Sequence, residues 1–268
     1  MANHNLNNII YDRVLRAIYS DKNDDIIFAL NQVQNLSINA TTESQEVVDA
    51  VGCSVRELMR SKAIEISAEN AFYDMGLQAA QYGTEKVVAD KDNKLPAYAL
   101  EEFEVTADRT YKLKHTPTSE ITTIYALNGD STLGDKYVTD LEKHPEAAGE
   151  FVYADGVISI PEGVEEKSFM FVKYEYDSEH AVEVISTAKD FPKMGKLLLE
   201  VLVYDTCDPE TKILAYVEAP RFQLKGDYDW SIGADNQAHP FNGVCHVDYC
   251  DREKKMIRVL IVDDEEEI

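Results

Sequence analysis

Between Gln34 and Ala68 the sequence alternates twice with period two, around an acidic segment that contains a glycine. In the first stretch, Gln34–Gln45, Leu36, Ile38 and Ala40 alternate with Asn35, Ser37, Asn39 and Thr41. In the second, Arg60–Ala68, Ile64, Ile66 and Ala68 alternate with Ala63, Glu65 and Ser67. This is the pattern of strands with one buried and one wet face. With Glu46–Gly52 between them, the two stretches are expected to form one long hairpin. Toward its tip the core-facing residues stop, yet the segment continues through Thr42, Glu43, Gln45 and Glu46. A hairpin that outruns its own core must find its partners elsewhere, most simply in another subunit.

The rest of the chain reads mainly as β. Ile9–Tyr19 and Asp25–Gln34 read as strands around the turn-rich Ser20–Asp24, although Ile10, Val14, Leu15 and Ile18 also satisfy helical spacing. After the hairpin, Ser67–Asn70 offers N-caps for a helix over Ala71–Tyr82, with an apolar stripe of Phe72, Met75, Ala79 and Tyr82 and a stop at Gly83. Phe151–Ala154 and Val157–Ile160 bracket Asp155-Gly156, a two-residue hairpin signal. Phe169–Tyr176, Gly195–Tyr204, Ile213–Leu224 and Gly243–Cys250 read as further strands. Leu197–Val203 is apolar on both faces and so belongs in the middle of a sheet. Met256–Val262 reads as a last buried strand and Asp263–Glu267 as a solvated acidic end. Between Leu100 and Asp177 the texture changes to more turns and prolines, which suggests a module inserted into a core built from both chain ends. The expected division is a discontinuous core, 1–100 with 178–268, and an inserted β-rich module, 101–177. The fold class is therefore mainly β, a β-sandwich or flattened barrel with a long hairpin, one or more flanking α-helices and a β-rich insertion.

The compositional outlier is charge: 50 acidic against 26 basic residues, a formal net charge of −24. Holding nucleic acid by phosphate neutralisation needs clustered Lys and Arg, so this chain is not expected to do so. Composition alone favours solubility, or calcium or high-salt adaptation, as the reason for the charge. A sharper alternative is a surface that stays near DNA without sticking to it. No run approaches the roughly 20 apolar residues of a bilayer-spanning helix, and Met1–Asn8 lacks the basic and apolar regions of a secretory signal. The expectation is a protein made in a cytoplasm, with Cys53, Cys207, Cys245 and Cys250 as reduced thiols.

Catalytic and metal patterns are weak. His239, Cys245, His246, Cys250 and Cys207 invite a metal, but the spacing of Cys245 and Cys250 on a regular strand would point their sulfurs to opposite faces. Asp227–Trp230 and Asp263–Glu267 lack EF-hand spacing. No phosphate-binding loop, dinucleotide glycine pattern or nucleophile elbow is present. Trp230 and the 15 tyrosines fit core and interface anchors. No cofactor, metal or enzymatic activity is expected.

The run from Leu36 to Gly52, then Arg60–Ser67, then a helix, resembles the tail tube (major tail) proteins of long-tailed bacteriophages. The stretch Tyr137–Tyr176 is similar to small β modules of phage tail proteins. The resemblance implies subunits that form six-fold rings, donate long strands to a closed inner barrel, and stack into a tube through which viral DNA passes. It implies itself as the main partner, with sheath, tape measure and tail terminator proteins as further ones, no membrane, and a place in the virion tail. On this resemblance Glu43, Glu46 and Asp49 lie near the lumen wall or the ring-to-ring junction, and Arg56, Glu57, Arg60 and Lys62 make inter-subunit ion pairs. For each of these residues an ordinary solvated turn is the alternative. The alternative functions are another virion part (head decoration or tail terminator) or a carbohydrate- or calcium-binding β module.

Overall fold

The computed structural model describes residues 8–139, 150–160, 163–206, 212–229 and 238–262. In chain order its first elements are β1 (Ile9–Ser20), β2 (Ile26–Leu30), β3 (Val33–Val48), β4 (Ser54–Asn70) and the helix α1 (Met75–Tyr82). Then come β5 (Val87–Val88), β6 (Leu95–Glu104), β7 (Thr110–Lys112), β8 (Thr123–Leu127), β9 (Leu133–Thr139), β10 (Glu150–Ala154), β11 (Val157–Ser159), β12 (Phe169–Ser178) and β13 (Val182–Glu183). The series closes with β14 (Met194–Asp205), β15 (Lys212–Leu224), β16 (His239–Cys245) and β17 (Arg258–Val262). The chain divides into two compact units, Met1–Lys86 with Val184–Ile268, and Val87–Glu183. The fold is mainly β, with one α-helix among the described residues.

In the first unit eight strands form one sheet in the order β2-β1-β14-β15-β16-β4-β3, with β17 also paired to β15. Leu197, Leu199, Val201 and Val203 of β14 are buried, and the strand lies between β1 and β15, antiparallel to both. The central place expected for Leu197–Val203 follows from that burial. The sheet curls until β1 touches β3, wrapping a core of Tyr19, Phe28, Ile64, Ile66, Leu199 and Phe222. Each such side chain contributes about 1.5–3 kcal/mol by leaving water. Tyr19 stacks on Phe28 with centroids 5.2 Å apart and meets Phe222 edge-on at 6.3 Å. The two rings lie over glycines. A Cβ on Gly195 would come within 2.6 Å of the Tyr19 ring, and one on Gly243 within 2.3 Å of the Phe222 ring. The Tyr19 hydroxyl donates to Lys193 O at 2.7 Å, and burial pushes its pKa up.

Several elements differ from the sequence expectations for local reasons. The helix begins at Met75, not Ala71, because Ser67–Asn70 is committed to the ladder with Phe241, Asn242 and their neighbours in β16. Asp74 is the N-cap, its carboxylate accepting from Leu77 N at 2.7 Å, and Gly83 ends the helix at φ 76. Phe72 is outside the helix and exposed, while Gln78 and Gln81 join Leu77, Ala79 and Ala80 in the buried face. β16 ends at Cys245, where the chain turns through Asp248, whose carboxylate accepts from Cys250 N at 3.0 Å. Cys245 is therefore on a strand and buried while Cys250 is on an exposed turn. The last strand is an edge, not a buried element: among the described residues β17 pairs only with β15, and Val259 is 52% exposed. Asp25–Gln34 breaks into β2 and the start of β3. Cys207, Trp230 and the acidic end Asp263–Glu267 lie outside the described residues.

The buried polar residues beneath α1 form a chain of their own. His239 Nδ1 accepts from Asp74 N at 3.2 Å, and its Nε2–H faces Gln81 Oε1 at 2.9 Å. Gln81 Nε2 in turn donates to Pro240 O at 2.8 Å, which fixes its oxygen toward the imidazole. The ring stacks on Tyr73 with centroids 4.9 Å apart. These partners select the neutral Nε2–H tautomer, and burial holds the pKa of His239 below its ordinary value.

The second unit is entered and left through the paired β5 and β13. Its seven-stranded sheet runs β6-β12-β8-β9-β10-β11-β7, with β9 and β10 parallel. Asp155 (φ 48) and Gly156 (φ 80) make the tight turn between β10 and β11 that their dipeptide implies. The two ends of the sheet meet through side chains, as Phe103 of β6 stacks on Tyr111 of β7 with centroids 4.0 Å apart. Within this core Glu101 is only 3% exposed. Its carboxylate accepts from Tyr111 Oη at 2.7 Å, from Lys114 N at 3.2 Å, and from the Tyr174 hydroxyl. Burial, then the Glu101 carboxylate, pushes Tyr111 up to about 12 and raises Tyr174 as well.

Two outcomes follow. Replacing Glu101 with Ala strands two hydroxyls and an amide in the core and should cost about 3 kcal/mol in urea unfolding, with Glu101→Gln costing less. For His239, the unfolded chain takes up a proton near pH 6.5 and the folded chain only at lower pH. The stability it supports is therefore full above that value and drains as pH falls below it. Thermal melts between pH 7.5 and 5 should show a shallower acid loss in His239→Gln than in the wild type.

Candidate functional site

The expected hairpin is β3 and β4, with 16 and 17 residues, far longer than the usual strand of about 5–6 residues. The strands run to Val48 and resume at Ser54, so the turn is confined to Asp49–Cys53 and is tighter than the Glu46–Gly52 segment expected. At the base Ile38 pairs with Ile66 and Ala40 with Ile64. There β4 is also paired on its other side, with β16, from Ile64 to Asn70. Beyond Ile64 that second neighbour is gone. Among the described residues, Ser54–Ala63 has β3 as its one ladder partner, and the outer edge of β3 has none. At about 3.3 Å per residue the free part of the hairpin projects roughly 30 Å.

Side chains stiffen this projection. Ser61 Oγ donates to Glu43 Oε2 at 2.9 Å, and Arg60 Nε and Nη2 both donate to Gln45 Oε1, at 3.0 and 2.7 Å. Ser44 Oγ donates to Glu57 Oε1. At the apex Asp49 Oδ1 accepts from Val51 N at 2.9 Å and Cys53 N at 2.8 Å, while Asp49 N–H donates to Cys53 O. Those two amides hold the Asp49 carboxyl below the usual carboxylate range. Gly52 (φ 87) supplies the left-handed residue that the turn needs.

The seven sequence-derived residues thus fall into two groups. Glu43, Asp49, Glu57 and Arg60 are engaged within their own hairpin. The side chains of Glu46, Arg56 and Lys62 make no hydrogen bond or ion pair among the described residues. Glu46 stands directly opposite Glu57 in the register, a like-charge cross-strand pair that has no ion pair with a cation among the described residues. All seven lie on the hairpin, and the sequence reading missed what surrounds them. Val47, Val48, Val51, Val55 and Met59 are all exposed, Val51 by 87%. Val47 and Val48 are consecutive on one strand, so they put apolar surface on both faces of the tip. The signal was the run of valines itself, at positions 47, 48, 51 and 55, set inside the acidic turn.

Away from the hairpin, His239 is occupied by Asp74 and Gln81, and Cys245 is a buried thiol pushed up to about 11 by burial. No group of three or more His, Cys, Asp or Glu among the described residues is placed to hold a metal ion. No helix among them is long and apolar enough to cross a membrane.

A family model described as the YomU/Tube protein family matches residues 8–259 of the chain. No curated protein matches it.

The turn makes its own prediction. In Asp49→Ala, the amides of Val51 and Cys53 should exchange with solvent faster, whereas those of Ile64 and Ile66 keep their rates. In the wild type the Asp49 bonds persist above the ordinary carboxylate range. They should be lost only as pH falls through the lowered pKa, a shift that NMR of the two amides would follow.

Proposed function

Because the chain belongs to the YomU/Tube protein family, a family of phage tail tube proteins, we propose that it assembles into six-fold rings that stack into the tail tube and conduct viral DNA. That it is a tube-like structural component of a phage tail follows from the family. The ring, the stack and the conduit are our reading. One observation carries it: a hairpin that leaves its sheet at Ile64 with backbone edges that have no partner on either side among the described residues. A free edge of that length invites random pairing unless a neighbouring copy covers it. Pairing hairpin to hairpin around a ring closes the edges into a barrel. Ring-on-ring contact is then head-to-tail and propagates instead of closing.

In such a tube the hairpin lines the lumen, where carboxylates repel phosphates within a Debye length of roughly 8–10 Å. Glu43 projects from β3 and suits that wall, while Glu46, three residues on, projects from the opposite face and suits the ring-to-ring junction. The Asp49 carboxylate is committed to its turn, so its role is to shape the apex at the ring junction. Arg56 and Lys62, whose side chains have no ion pair among the described residues, suit ion pairs to a neighbouring subunit, and Glu57 and Arg60 add to them from their braced positions. Sheath, tape measure and terminator proteins are the further partners in this reading.

Negative-stain microscopy of the purified chain should show six-fold rings or long tubes. A monomer that persists across protein and salt concentrations would overturn the reading. Deleting Glu43–Glu57 should leave a folded, soluble subunit, by circular dichroism, that no longer polymerises. Glu43→Lys should still assemble but slow DNA ejection from the virus. Unchanged ejection would remove this residue from the lumen.

A further inference from the structure

The curled sheet of the first unit is not filled where β1 faces β3. A cleft of about 680 Å³ opens there, walled by β1 and β3. Its apolar lining includes Val14, Leu36, Ile38, Val201, Val217 and Val259. Both walls carry unpaired backbone: β2 covers β1 only from Ala17 to Ser20, and the outer edge of β3 has no partner among the described residues. Val201 and Val217 form a deep floor, 4% exposed each, while Ile38 and Val259 are 40% and 52% exposed at the mouth. Arg13 stands on the rim, its side chain 67% exposed, with Asp12 beside it at 3.8 Å.

The same chain also carries a knob of matching chemistry. The hairpin tip presents Val47 on one face, Val48 on the other, and Val51 at the apex, with Val55 and Met59 just behind. A flat surface could cover only one of those faces, so burial of both needs a cleft. Intramolecular burial is excluded by length. Val48 lies ten residues beyond Ile38 on one continuous strand, roughly 30 Å away.

We propose that the cleft between β1 and β3 is the receptor for the hairpin tip of a second copy of this chain, which fixes the head-to-tail register of the stack. The proposal rests on the tube reading and adds to it the surface that receives the tip. Apolar side chains meet apolar lining, and Arg13 on the rim supplies the cation that the opposed Glu46 and Glu57 lack. Tip and cleft are different surfaces of one molecule, so the contact is heterologous and propagates from copy to copy.

Cross-linking tests it. In a chain with Cys53, Cys207 and Cys250 replaced by Ser, Val51→Cys and Val259→Cys are introduced together, and assemblies are treated with a short bismaleimide. A ladder of covalent dimers, trimers and higher species on a denaturing gel is expected. A control pairing Val51→Cys with Ile26→Cys, exposed on β2, should give none. A second variant, Val259→Glu, changes an exposed edge position and should leave folded subunits that form rings but lose tubes. Tubes without a ladder, or tubes that persist in Val259→Glu, overturn the receptor while leaving the tube reading intact. If the unsubstituted chain forms neither rings nor tubes, the tube reading falls and the receptor with it.

Discussion

The constraint on which the rest depends is the backbone hydrogen bond of a strand edge. Every N–H and C=O along a sheet edge must find a partner or stay in water, and this chain leaves an unusually long run of them. Up to Ile64 the ladder is complete, with β4 held between β3 and β16. One residue further the second neighbour ends, because β16 stops at Cys245 and the chain turns away at Asp248. The strand that takes up the next stretch of β15 is β17, and β17 does not pair with β4. The departure of the hairpin from its sheet is thus set by where a neighbouring strand ends, not by a break in the hairpin itself.

Given that departure, the projecting part must hold its shape without a core. Cross-strand side-chain bonds do this on one face through Ser61–Glu43 and Arg60–Gln45, and Ser44–Glu57 does it on the other. Asp49 closes the apex on two backbone amides. Each bond is exposed and individually weak. Together they keep a two-stranded ribbon in register that would be marginal alone. Acidic residues serve here as acceptors as much as charges: Glu43, Asp49 and Glu57 all accept within the hairpin, and Arg60 donates there.

What could be read in the sequence follows how each feature is encoded. The hairpin base is written in alternation, and Leu36, Ile38, Ile64 and Ile66 announce it. The same holds for β14 and for the Asp155-Gly156 turn, where local pattern and structure coincide. The start of α1 was hidden because Ser67–Asn70 looks like a cap in isolation, and only the pairing with β16 shows its amides to be spoken for. The burial of Gln78, Gln81 and His239 was equally hidden, since satisfied polar residues in a core depend on partners far away in sequence. β17 looked like a core strand by composition, yet its exposure is decided by having a neighbour on one side alone. At the tip, attention to carboxylates masked the valines beside them.

Charge then explains what kind of contact can build an assembly from this chain. Copies carrying −24 each repel one another, and surface ion pairs return only about 0–1 kcal/mol apiece. With 26 basic residues against 50 acidic ones, a contact made mostly of salt bridges would exhaust its cations before it balanced the repulsion. Backbone ladders and apolar burial have no such limit, because neither depends on the sign of the surface. The hairpin offers both: unpaired edges along its length and exposed valines at its end. In the proposed tube these neutral contacts bear the assembly. The uncompensated carboxylates are then left over, free to face solvent or a passing polyanion that must not bind.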